Sequence, residues 1–285
     1  MRHFLFVPLC LGTAITLAGC TKDRDAEVER AVQDVITTDE NNLNSIMLTV
    51  ADPEEAVSYF KRASAEQPDK ISFRRGLARS LIRAKHNTEA VGAWKKVVEH
   101  KEATNDDKVE YADALIRASE WDHAETVLNG VPPTFETFKR YRLEAMVADK
   151  NQAWDKSDSF YETAIGLTTR PATTLNNWGY SKLSRGDYGG AEKLFIEAIG
   201  YDQNLFTAKN NLVLARAAQR NYQLPVMPMD QTERAQLLHT MALSAIKQGD
   251  VATGKGLLEE AIDTHPQHFD AAARALKALD SNVKF

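Results

Sequence analysis

Cysteine is almost missing from this chain: Cys10 and Cys20 are the only two in 285 residues. Beyond position 20 there is therefore no thiolate to ligate zinc or attack a carbonyl, and no disulfide to close a loop. An excess of positive charge is missing too. The net charge is −5, and removal of Arg2 with the leader makes it −6. That balance gives no basic patch of the kind a nucleic-acid binder needs, so nucleic acid is not an expected partner. The apolar/polar alternation of half-buried strands is nearly absent, and 43% hydrophobic content suffices for a sizeable core, which has to be built from helices.

Catalytic signatures are lacking as well. There is no Gly-x-Ser-x-Gly elbow and no His-Glu-x-x-His helix. Gly249 to Gly256 fits the first seven places of a phosphate-binding loop, but Gly256 stands where a hydroxyl should reach magnesium. The preceding Leu237 to Lys247 also reads as helix, where such a loop should follow a strand. His265 and His268 flank Pro266 with no third ligand near them, and Glu259 and Glu260 read as the wet face of a helix. Neither an enzyme, a cofactor nor a metal is expected.

What the chain does have is self-similarity. Ala191 and Phe195, a small residue and a bulky one a helical turn later, are preceded by Ser157 and Tyr161, Ala124 and Leu128, Ala90 and Trp94, and Ala56 and Phe60. The steps are 34, 33, 34 and 34 residues, and the mark returns at Gly254 and Leu258. Two antiparallel helices cross closely only where one side chain is small, and the bulky residue fills the space beside the crossing. Gly186 and Gly249 suit a left-handed helix end, with Asp187 and Asp250 capping the next helix. Asp52, Pro53, Glu54 and Glu55 form a further helix start.

These residues resemble the tetratricopeptide repeat. Trp178, Gly179, Gly186, Tyr188, Ala191, Phe195 and Ala198 follow the family pattern, as do Met241, Ala242, Gly249, Leu258, Ala261 and Pro266. The match covers most of Thr37 to His268. It implies an all-α solenoid of antiparallel helix pairs with terminal capping helices, in which length creates surface as much as core. Glu144 stands where the pattern wants an apolar residue, so a shifted register is expected over 138–171.

The N-terminus points to a membrane. Arg2, an apolar run from Phe4 to Leu17 and the sequence Leu17-Ala18-Gly19-Cys20 resemble a bacterial lipoprotein signal, in which cleavage leaves an acylated Cys20 as the first residue. Thr21 follows, where Asp would mark inner-membrane retention, so the resemblance implies the periplasmic face of the outer membrane. The expected organisation is a signal peptide at 1–19 and a tether with a cap helix at 20–36, where Val28, Ala31, Val32 and Val35 form a lid. A repeat array follows at 37–220, then a connection at 221–234 that Pro225 and Pro228 keep extended and that separates two stacks. The final repeat and a terminal helix occupy 235–285, with Phe269, Ala272, Ala273, Leu276 and Leu279 on one face.

In the repeat family the fifth and sixth places of each first helix face the concave surface. Here they are Asn41 and Asn42, Asn176 and Asn177, and Asn210 and Asn211, with Tyr180 and Lys209 beside them. An amide both donates and accepts, which suits reading the backbone of an extended protein or peptide partner. Equally, these amides can hydrogen-bond between neighbouring helices. The order of the parts, with the Asn-Asn-Trp-Gly-Tyr-Ser block and the Leu-Pro-x-x-Pro interruption, resembles the TadD-like lipoproteins of tight-adherence (Flp-type) pilus systems. That resemblance implies a pilotin-like assembly factor for the pilus secretin. The alternatives are an adaptor for outer-membrane protein assembly or cell-wall enzymes, and a glycan-directed enzyme.

Overall fold

The computed structural model describes residues 30, 38 and 41–282. The leader, Cys20 and the lid residues Val28, Ala31, Val32 and Val35 lie outside the described residues. The described residues contain helices, turns and bends but no strand. They divide into two compact units, one ending at Val97 and one beginning at Val98.

The first unit holds a helical stretch at 41–49, then α1 (Pro53–Glu66), α2 (Ile71–Arg83) and all but the last residue of α3 (Asn87–Val98). Asp52 starts α1 by accepting the amides of Glu54 at 2.9 Å and Glu55 at 3.4 Å, while Pro53 occupies a position whose amide has no partner to lose. Phe60 of α1 lies across Gly76 of α2, where an added Cβ would come within 2.3 Å of the ring. Phe73, Met47, Leu48 and Leu77 close around that contact. The guanidinium of Arg83 donates to the carbonyls of Met47 and Ala51, both at 2.8 Å, and so satisfies acceptors left open at the end of the 41–49 stretch.

The second unit runs through α4 (Asn105–Arg117), α5 (Trp121–Asn129), α6 (Phe138–Lys150), α7 (Trp154–Gly166), α8 (Ala172–Ser184) and α9 (Tyr188–Tyr201). It continues with α10 (Phe206–Ala218), α11 (Gln231–Lys247), α12 (Val251–Thr264) and α13 (Asp270–Asn282). Helices pack in sequential pairs, α4 with α5, α6 with α7, α8 with α9 and α11 with α12. Ala124 with Leu128, Ser157 with Tyr161, Ala191 with Phe195 and Gly254 with Leu258 all lie on helices of these packed pairs, and all are buried.

One turn geometry recurs through the chain. Lys85, Ser119, Gln152, Gly186, Arg220 and Gly249 all end a first helix with positive φ, between 57° and 84°. Only two of the six are glycine, which is why the sequence signalled only those two. Asp187 and Asp250 then cap the next helix, accepting from Gly190 at 2.9 Å and Thr253 at 3.2 Å.

Two expectations need correction. The unit 138–171 keeps the common register: first helices begin at 71, 105, 138, 172 and 206, so no shift occurs. Glu144 fits because Arg140, four residues earlier, donates to it at 2.9 Å. Arg140 is itself held by the carbonyls of Pro132 at 2.7 Å and Phe135 at 3.1 Å, so the charge is paired where it is buried. The connection after α10 is shorter than expected and does not split the stack. Helix α11 begins at Gln231, and Val213 and Ala217 of α10 share one core with Leu237, Leu238 and Met241 of α11. Leu224, Met227 and Met229 of the connection pack on that core, whereas Val226 is fully exposed. Phe269, Ala272, Leu276 and Leu279 cover its far end, with α13 packed on α12.

Candidate binding groove

The first helices of successive pairs present one stripe each to a groove of about 620 Å³ in the second unit. Helix α8 contributes Asn176, Tyr180 and Ser184 at intervals of four, with Asn177 and Ser181 beside them. Helix α10 adds Phe206, Thr207, Asn210 and Asn211, and α6 adds Met146, Asp149 and Lys150. Trp121, Trp154 and Tyr161 complete an aromatic surround.

The asparagines divide the two roles the sequence left open. Asn211 donates its amide to Asn176 Oδ1 at 3.0 Å, joining α10 to α8, and Asn210 Oδ1 accepts from the Thr240 hydroxyl at 2.8 Å. Each bond leaves donors of Asn210 and Asn211 unused. Asn177 makes no side-chain hydrogen bond among the described residues and stands half-buried in the groove wall. Tyr180 is 57% exposed there.

Lys209 is placed differently. It is 2% exposed, its Nζ lies 2.7 Å from Glu233 Oε2, and it does not line the groove. An ammonium so buried needs its carboxylate, and that pair ties α10 to α11. Asn41 and Asn42 are exposed on the 41–49 stretch of the first unit, whereas the groove is built from the second unit alone.

Two polar networks hold the groove floor rigid. Asp149 accepts from Ser157 at 2.5 Å, Ser181 at 2.6 Å and the Tyr161 hydroxyl at 2.9 Å. Burial, then the Asp149 charge, pushes the Tyr161 phenol well above its ordinary range, so it stays a donor. Behind Trp178, Asp158 accepts from its indole at 2.6 Å, from Lys182 at 2.9 Å and from Arg185 at 2.5 Å. Burial alone would raise the Asp158 carboxyl, but these three donors outweigh it and hold the group below the usual carboxylate range. Arg185 also lies over the Trp154 ring at 5.4 Å, fixing one wall.

The groove offers amide, hydroxyl and aromatic groups to an occupant. Asp149 is engaged by three hydroxyls, and the groove lining contains no histidine or cysteine. The described residues include no group of three metal-capable side chains. His265 bonds within its own turn, to the Gln267 backbone, and stacks on Phe269 at 4.9 Å. The segment from Gly249 to Gly256 is a helix-to-helix turn running into α12, where a Cβ on Gly254 would meet Ile246 at 2.4 Å.

Sequence reasoning missed Met146, Asp149, Lys150, Trp154 and Phe206. A usable signal existed for three of them. Stepping back 34 residues from Tyr180 and Ser184 lands on Met146 and Lys150, and one helical turn before Asn210 is Phe206.

No family model and no curated protein sequence matches the chain. Solved structures do. A chain of the APC/C hetero-tetramer Cut9–Hcn1 matches with a TM-score of 0.60 at 13% identity, over 82% of this chain and 47% of that one. The chain thus spans about half the length of that relative. A tetratricopeptide repeat protein from Parabacteroides merdae matches with a TM-score of 0.55 at 11% identity, over 87% and 98% of the two chains. The C-terminal part of a repeat-containing protein from Cytophaga hutchinsonii gives 0.52 at 13%, over 81% and 98%. The fold is that of a tetratricopeptide-repeat solenoid.

Proposed function

We propose that the protein is a non-catalytic scaffold that holds an extended segment of a protein partner in the groove of its second unit. The observation that carries this reading is the amide row of Asn177, Asn210 and Asn211, with donors and acceptors left open over an aromatic floor. Amides pair with a main chain of any sequence, while the aromatic walls select side chains. In the fuller form of the proposal, Cys20 is acylated, the scaffold lies at the periplasmic face of the outer membrane, and the partner is a secretin or other assembly subunit of a tight-adherence pilus. Two or more acyl chains hold a protein stably on a bilayer, which would concentrate weak groove contacts.

The test is a photo-crosslinking residue at Tyr180 in the native envelope, with a second at Val226 as a control outside the groove. A discrete adduct from Tyr180 alone, lost in Asn177→Ala/Asn210→Ala, supports the reading; its identification by mass spectrometry decides between a pilus subunit and another partner. Equal labelling from both positions rules the groove out. A mature N-terminus other than an acylated Cys20 removes the membrane half of the proposal.

A further inference from the structure

The overall charge of −5 conceals a local excess. Residues 53–97 carry ten Lys and Arg against five Asp and Glu, a net +5. Part of that excess lines a cleft of about 520 Å³ between α1, α2 and α3, where Lys61, Ser64, Arg74 and Lys96 stand over Leu77 and Ala93. No carboxylate lines it. Lys61 and Lys96 are exposed, and neither forms an ion pair among the described residues. Arg74 donates to carbonyls, Nε to Pro68 at 2.8 Å and Nη1 to Lys96 at 3.5 Å, which orients the guanidinium without neutralising it.

The repeat supplies its own comparison. In the second unit the positions 135 residues on are Ile196 for Lys61, Leu212 for Leu77 and Lys209 for Arg74. There the groove is apolar at Ile196, and Lys209 has its carboxylate in Glu233. The fold therefore does not require cations at this place, nor leave them unpaired. Lys96 lies in the last turn of α3, where a cation suits the helix dipole, but Lys61 is in mid-α1 and has no such explanation.

We propose that this cleft binds a phosphate group carried on an apolar stem, the chemistry of a phospholipid headgroup and, in its polar half, of a soluble phosphate ester. Three cations around one concavity match a tetrahedral oxyanion, whose oxygens accept in several directions, while the Ser64 hydroxyl at its edge donates to the Lys61 carbonyl at 3.1 Å. The Leu77 and Ala93 floor favours an amphiphile over a bare ion. The site lies wholly in the first unit and does not depend on the groove of the second.

The test uses residues 21–285, which keep every described residue, with vesicles of phosphatidylglycerol in phosphatidylcholine, vesicles of phosphatidylcholine alone, glycerol 3-phosphate and a glutamate-rich peptide. Lys61→Gln/Lys96→Gln is compared with Lys247→Gln/Lys277→Gln, which removes equal charge from exposed positions elsewhere. The expected result is binding to the anionic vesicles that weakens about tenfold in the cleft variant and less than about twofold in the other. Displacement of the vesicles by glycerol 3-phosphate shows that a free phosphate ester suffices; its failure to displace them assigns the site to bilayer lipid. Equal weakening in both variants, equal binding to neutral vesicles, or tighter binding of the peptide overturns the proposal. Circular dichroism confirms that each variant is folded.

Discussion

Phe195 packs so tightly on Gly179 that a Cβ at position 179 would lie 2.6 Å from its ring. The ring is fully buried and has nowhere to go. Gly179→Ala should therefore lose about 1–3 kcal/mol by overpacking, although alanine is the better helix former. Gly200→Ala, with open space around its Cβ, should gain about 0.5–1 kcal/mol. Urea unfolding of the two variants checks both signs, and a Gly179→Ala protein as stable as the parent would contradict the crossing argument.

The left-handed turns predict a second pair of opposite effects. Gln152 holds φ at 57° and Gly186 at 84° in the same structural position. Gln152→Gly should stabilise by about 1 kcal/mol and Gly186→Ala should destabilise by a similar amount, both read as shifts in denaturation midpoint.

Asp149 is the one acceptor shared by Ser157, Ser181 and Tyr161. Asp149→Ala should cost about 2–3 kcal/mol, because hydroxyls at a helix crossing lose their partner. Asp149→Asn should recover part of that. Calorimetric unfolding of the two variants measures the difference, and an alanine variant within error of the parent would show that water replaces the carboxylate freely.

His239 gives a pH prediction. It packs against Phe269 at 5.4 Å between centroids, and burial holds its imidazole below the ordinary value of 6.5. The folded state thus prefers the neutral ring. Its contribution is complete above 6.5 and is lost as pH falls below that value through the depressed folded value. Stability measured between roughly pH 7.5 and 5 should fall less steeply in His239→Gln than in the parent. Identical slopes would remove His239 from the account.

The helical hairpins were legible because packing repeats: Ala191 with Phe195 and its counterparts occur in register whatever the surface does. The groove was legible in part. Asn176, Asn177, Asn210, Asn211 and Tyr180 share it, because a position facing inward in one repeat faces inward in the next. Lys209 was misread because it sits on the α11 side of its helix, where Glu233, 24 residues later, decides its fate. Glu144 was misread for a related reason: an acid among apolar neighbours looks like a register break until Arg140 is seen to reach it. Neither partner is announced by periodicity, since ion pairs leave no regular mark in a sequence.

Residues 221–230, which stand in for a second helix after α10, have a mechanical consequence. Elsewhere in the second unit a rung is zipped by its own amide ladder, but this stretch is fastened mainly by the packing of Tyr222, Leu224, Met227 and Met229, with one side-chain bond from the Tyr222 hydroxyl to Gln248 Oε1 at 3.4 Å. Amide-exchange labelling should find the earliest breach there, with the hairpins on either side opening as separate cooperative blocks. A pulling force applied along the stack would part the chain at that splice before it undid any paired rung.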